Sequence, residues 1–386
     1  MTQATARVTA IAVLSTHGAG LTALVEGIRA GHCPVRPAVD IGCPTQPPPL
    51  VSAFPARILP PGDAATATLL LETIDQLIAN WGGDSDAIQS LDTALIVGSG
   101  GFLFASGAER YWRSQQKKPP AAPFLVRGPA WGSELIAAHL QLRGTVLTLS
   151  TGCSSSANAL LAATEMLQRG RARRVLVVGV EGLSAVTLSG FDSLMLLDPD
   201  GCRPFDKDRM GLQIGEGIAA LMLEANPEKT ARVTILGGAN LCDIHHLTSA
   251  GPDGAVMRDV MFQALACARI SRDEITAVKA HGTGSIDSDR AEANALRAVF
   301  GASLPPVIGL KRYIGHTLGA CGGVELAALI GCLQSNFLPP TAGFETIDPE
   351  INFTPTRVPL AAGAGNYLLN FFGFGGNYTS LVMAFS

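Results

Sequence analysis

The chain has 386 residues, 47% of them hydrophobic and 16% charged, with a formal net charge of −4. That composition buries a large core over more than one domain and excludes a disordered or solvating chain. The acidic balance excludes the basic stripe of a nucleic-acid binder. The first segment, "MTQATARVTAIAVLSTHGAG", has an apolar stretch too short for a secretory leader and reads as a first β-strand. No apolar run approaches the ~20 residues of a membrane helix, so the expectation is a cytoplasmic protein. Eight cysteines (33, 43, 153, 202, 242, 267, 321 and 332) form no CxxC pair and read as reduced thiols.

Two Pro-rich stretches, at 43–62 and 115–123, are loops between elements. Short apolar runs ending in glycine recur at 94–101 ("ALIVGSGG"), 146–153 ("VLTLSTGC") and 175–182 ("VLVVGVEG"). Between the last two, "SSSANALLAATEMLQRGRAR" has helical spacing, and Gly170 is its stop. Uninterrupted apolar strands alternating with helices predict an α/β layer with strands buried on both faces. The second half repeats the theme with strands at 277–284, 307–316 and 367–376 and a small-residue helix over 317–334. The matching order predicts an internal duplication that divides near "EANPEKT", giving halves of 1–230 and 231–386.

Cys153 lies at a strand-to-helix turn, "TGCSSSAN", at the positive end of a helix dipole. That placement lowers a thiol pKa and favours the nucleophilic thiolate. Local sequence leaves this reading open beside a second one, a small buried cysteine in a packed helix. His281 in "KAHGTGS" and His316 in "YIGHTLGA" sit in similar strand-end glycine turns, where α/β folds expose side chains to a ligand crevice. One thiolate and two imidazoles suit carbon–carbon bond formation by decarboxylation. The thiolate carries an acyl group, and two ring N–H groups stabilise the enolate left when a malonyl thioester loses CO2.

Five stretches carry a resemblance: "TGCSSSAN", "DGCRPFDKDRMGLQIGEG", "HGTGSIDSDRAE", "KRYIGHTLGACGGVE" and "NFFGFGGNYTSLV". In this order they resemble the elongating, Cys-His-His type of β-ketoacyl-(acyl carrier protein) synthase. The resemblance implies a thiolase-like α/β fold of two duplicated halves in five layers, αβαβα. It makes Cys153 the acyl-accepting nucleophile, with His281 and His316 over the malonyl thioester. Lys311 would pair with Glu325, and Asp289 and Glu292 would be supports. Phe374 would be a gate whose backbone N–H forms an oxyanion hole with that of Cys153. Thr248 and Thr283 would hydrogen-bond the phosphopantetheine arm brought by an acyl carrier protein. No metal or other cofactor is implied, and the protein would be a homodimer or a heterodimer with a related subunit.

Basic clusters that could meet the acidic carrier are Arg110, Arg113, Lys117 and Lys118, then Arg169, Arg171, Arg173 and Arg174, and Lys207 with Arg209, the last inside a family motif. The sequence departs from the family at Met210, Arg312, Phe371, Asn377 and Tyr378, and the segment before "TGC" is short. These changes point to a dedicated polyene or polyketide pathway rather than housekeeping fatty-acid synthesis. The rival readings each lack a feature. A chain-length-setting partner subunit lacks the nucleophile, and a degradative thiolase has a second cysteine where "FGFGG" stands. A chain-initiating synthase has asparagine at the place of His316, and an unrelated cysteine hydrolase leaves the second half unexplained.

Overall fold

A computed structural model describes residues 5–39, 41, 45–55, 63–101, 128–227 and 231–386. Ten strands make the continuous path of its main sheet: β1 (Ala6–Ser15), β2 (Thr93–Gly98), β3 (Val146–Leu149), β4 (Arg174–Glu181), β5 (Gly217–Ala225), β6 (Val233–Cys242), β7 (Ile275–Lys279), β8 (Val307–Ile308), β9 (Gly365–Phe372) and β10 (Asn377–Phe385). Outward from the centre, the first half runs β1-β5-β4-β2-β3 and the second runs β6-β10-β9-β7-β8. The order is the same in both. In each half the outer pairs are parallel and the inner ones antiparallel. The halves join into one sheet where β1 pairs antiparallel with β6 over Ala6–Val8.

Period-two alternation sorts the strand side chains into layers. Ala94, Ile96, Val175 and Val177 face a central core, whereas Leu95, Val97, Leu176 and Val178 face an outer one. That outer layer is α2 (Asp63–Trp81) with α3 (Trp131–Leu140). The central layer holds α4 (Ser155–Gln168) and α8 (Cys321–Gln334), with α1 (Leu21–Arg29) against them. The far layer is α6 (Ala255–Ala268) with α7 (Ile286–Phe300). The result is five layers, αβαβα, with α5 (Ala185–Ser193) beside the crevice.

The central helices pack almost backbone to backbone. Thirteen of the 14 residues of α8 are buried, and a Cβ on Gly322 would stand 2.2 Å from the backbone nitrogen of Ala157. Each central helix begins with one tight turn, Gly152–Ser154 ahead of α4 and Leu318–Ala320 ahead of α8. Gly170 (φ +65) ends the chain's excursion along α4, as its sequence predicts. The predicted strand over 307–316 shortens to β8. Lys311–Ile314 is a helical turn instead, bracketed by Gly309 and the left-handed Gly315 (φ +75).

Candidate active site

The ends of β3, β7 and β9 and the turns after β8 converge on one crevice, as the carboxyl ends of strands do in open α/β sheets. Gly152, at φ +60, turns the chain out of β3 so that Cys153 leads into α4. The turn is tied at both ends. Ser155 Oγ accepts from the Thr151 N–H at 2.9 Å, and Ser154 Oγ donates to Asn377 Oδ1 at 3.0 Å. The same Asn377 oxygen accepts from Asn158 at 2.8 Å and Asn240 at 2.7 Å. The "FGFGG" turn that precedes Asn377 is thereby locked beside the cysteine. The backbone N–H groups of Phe374 and Cys153 both point at the thiol.

Burial pushes that thiol up to about 11, against the pull of the Lys311 charge and those two N–H groups. This corrects the expectation of a lowered pKa. Cys153 is 6% exposed, and loss of solvent outweighs the helix end. At neutral pH the resting group is a thiol.

His281 and His316 face each other edge-on, their ring centroids 5.4 Å apart at 85°. Leu318 N–H donates to His316 Nδ1 at 3.3 Å, which places the ring proton on Nε2. Cys321 Sγ stands 3.1 Å from the same Nδ1. His281 Nδ1 is buried and has no hydrogen-bond partner among the described residues. Burial and then the Lys311 charge hold both imidazoles well below their ordinary pKa, so both are neutral.

The carboxylates serve the backbone rather than the rings. Glu292 accepts from the N–H groups of His281 and Gly282 at 2.8 and 2.9 Å. Asp289 accepts from Thr283 at 3.0 Å and from Phe205 at 2.6 Å. Three residues apart on α7, the two grip the turn that carries His281. Lys311 donates to Glu325 at 2.6 Å, with both side chains fully buried. The sequence reading missed Lys279, whose ammonium holds the other Glu325 oxygen and donates to Asn370 O at 2.6 Å. A charged residue inside the apolar run "ITAVKAHG" was the signal for it. Glu181 was missed as well; it accepts from Gly100 at 2.6 Å and Gly319 at 2.9 Å, bridging the two halves.

Cys153, His281, His316, Phe374, Thr248 and Thr283 line one cleft. The Phe374 ring stacks on Phe191 of α5, centroids 5.6 Å apart, at its wall. Of the departures from the family, Tyr378 lines this cleft. Met210 is 62% exposed, Arg312 donates to Asp200 O at 2.9 Å, and Phe371 packs against Lys279. Arg209 is a correction: it is buried, donating to Asp348 at 2.6 Å and to Asp206 O at 2.8 Å, so it offers no docking surface. Lys207 is exposed. Arg169, Arg171, Arg173 and Arg174 follow the far end of α4, which at 14 residues is about 20 Å long. Arg110, Arg113, Lys117 and Lys118 lie outside the described residues. Among the described residues no group of three or more His, Cys, Asp or Glu could hold a metal ion.

Residues 64–229 match the family model of the β-ketoacyl synthase N-terminal domain, and 233–345 match that of its C-terminal domain. The chain belongs to the β-ketoacyl synthases. The barley chloroplast 3-oxoacyl-[acyl-carrier-protein] synthase I is 31% identical over 79% of this chain and 71% of its own length. The tetracenomycin polyketide synthase ketoacyl synthase alpha subunit of Streptomyces glaucescens is 34% identical over 62% of this chain and 60% of its own. Among solved structures, a β-ketoacyl synthase from Burkholderia phymatum superposes with a TM-score of 0.89 at 25% identity, covering 99% of this chain and 100% of that one. A type II polyketide ketosynthase complexed with its acyl-carrier protein gives 0.90 at 22% identity, over 100% of both chains. The fold is therefore that of the ketosynthases, and the synthase is an acyltransferase of the condensing class. No described helix is long and apolar enough to cross a membrane.

Proposed function

We propose that the synthase joins an acyl group, held on Cys153, to a malonyl group carried by an acyl carrier protein. The observation that carries this reading is the meeting of Cys153, His281 and His316 in one cleft, with the Phe374 and Cys153 N–H groups aimed at the sulfur. Cys153 Sγ attacks the acyl thioester carbonyl. The two N–H groups hold the oxyanion, and the carrier leaves as a free thiol that takes the proton of Cys153. The malonyl thioester then loses its carboxylate as CO2. The Nε2–H of His316 and a ring N–H of His281 hold the enolate oxygen. The enolate carbon attacks the Cys153 thioester, giving the β-ketoacyl carrier protein, and the expelled sulfur takes up one proton.

Both imidazoles must be neutral donors for this, and both are held so by burial and Lys311. Thr248 and Thr283 on the cleft wall suit the amides of a phosphopantetheine arm, which would arrive on the carrier; no other cofactor enters the reaction. The synthase would act as a dimer with itself or with a related subunit. A second reading, a chain-length-setting partner, is favoured by the likeness to a ketosynthase with its chain length factor from Xenorhabdus doucetiae (TM-score 0.84, 25% identity).

CO2 release from malonyl carrier protein separates the two. Cys153→Ala should keep this release and lose condensation, whereas His281→Ala or His316→Ala should lower it by about 100-fold or more. Full-length protein that releases no CO2 above background, alone or with a related subunit, would favour the second reading.

A further inference from the structure

The reaction above assigns no part to Lys279. Its side chain is buried at the end of β7, where Nζ holds one oxygen of Glu325, donates to Asn370 O at 2.6 Å and stands 3.7 Å from the centroid of the Phe371 ring. Glu325 is already neutralised through its other oxygen by Lys311 at 2.6 Å. A buried carboxylate needs one cation. A second must also be stripped of water, and it leaves the cluster with one surplus positive charge. The groups facing that cluster are His281, His316 and the thiols of Cys321 and Cys153. The nearby carboxylates are engaged elsewhere: Glu292 and Asp289 on the 281–284 turn, Glu181 on Gly100 and Gly319.

We propose that Lys279 is a positioning residue whose ammonium keeps a net positive charge beneath His281 and His316, holding both imidazoles neutral as the anionic malonyl thioester enters. Phe371 belongs to the same device, its ring face completing the cation's shell. The electrostatics agree. Burial first, and then Lys311 and Lys279, push His316 well below its ordinary pKa, and Lys279 itself is brought down to about 8, chiefly by burial. The charge is thus present at neutral pH and is lost as the medium turns alkaline.

The proposal rests on the decarboxylating reading, and its test has one readout inside that reading and one outside it. In the first, CO2 release from malonyl carrier protein is followed against pH. Lys279→Met and Lys279→Gln should move the acid limb of the wild-type profile up by about one pH unit, a tenfold loss at a fixed acid pH. In the second, the ring signals of ¹³C-histidine-labelled protein are titrated without substrate, His281 and His316 being assigned from their alanine variants. Both midpoints should rise in Lys279→Gln. A folded Lys279→Gln with unmoved histidine midpoints, or one that loses activity equally at every pH, would overturn the proposal. A wild type that releases no CO2 would sink the functional reading alone, because the histidine midpoints still decide this one.

Discussion

Glu292 and Asp289 each hold backbone N–H groups in a place without water, and burial raises their pKa to about 7 and about 6 from 4.5 and 3.8. A raised carboxyl pKa means that the folded state binds more protons than the unfolded one between the two values. Stability is then greatest at the acid end and falls as pH rises through the folded pKa. For Glu292 the fall should span pH 4.5 to about 7 and amount to about 3 kcal/mol. Denaturant melts of wild type and Glu292→Gln across that range should show the slope flattened in the variant. Sequence alone marked both carboxylates, because they sit in "HGTGSIDSDRAE", yet it could not show that they clasp a turn. That depends on where α7 begins relative to β7. Lys279 escaped for the opposite reason: its neighbours are apolar, and its partners Glu325 and Asn370 lie 46 and 91 residues away. The helix end at Cys153 was read correctly as position and wrongly as pKa, since spacing carries no measure of desolvation.

At the scale of elements, the first strand and those that run into glycine turns were legible, and three inner ones were not. β5, β6 and β10 have no functional turn or histidine to mark them, and they emerge only as partners in the ladder. The small-residue helix was recognised, but α8 starts at Cys321 rather than 317, because Leu318–Ala320 winds as a tighter lead-in. Small residues there permit the close crossing of α8 and α4. A Cβ on Gly322 would meet Ala157 backbone at 2.2 Å, so Gly322→Val should cost about 3 kcal/mol or more. A urea melt should show the midpoint lowered with the slope retained. An unchanged midpoint would mean that the two helices can part without loss.

For the whole molecule, the repeated strand order supports reading 1–230 and 231–386 as duplicated halves. We infer that they are not independent folding units. The central core takes Ile96, Val177 and Leu221 from one half and Ala327, Leu369 and Leu381 from the other, around α4 and α8. Each half alone would expose that face to water, at roughly 25 cal/mol for each Å² of apolar surface. Equilibrium unfolding should therefore be one transition by both fluorescence and far-UV dichroism. Residues 231–386 expressed alone should lack fixed near-UV signals. Two separated transitions would contradict this.

The central claim is that Cys153 carries the acyl group. Its most direct test is the intact mass of the protein after incubation with an acyl carrier protein thioester, beside Cys153→Ala and with candidate partner subunits present or absent. The account predicts one acyl-sized gain in the wild type and none in the variant. No gain with any of several chain lengths, or a gain that persists in Cys153→Ala, would contradict it.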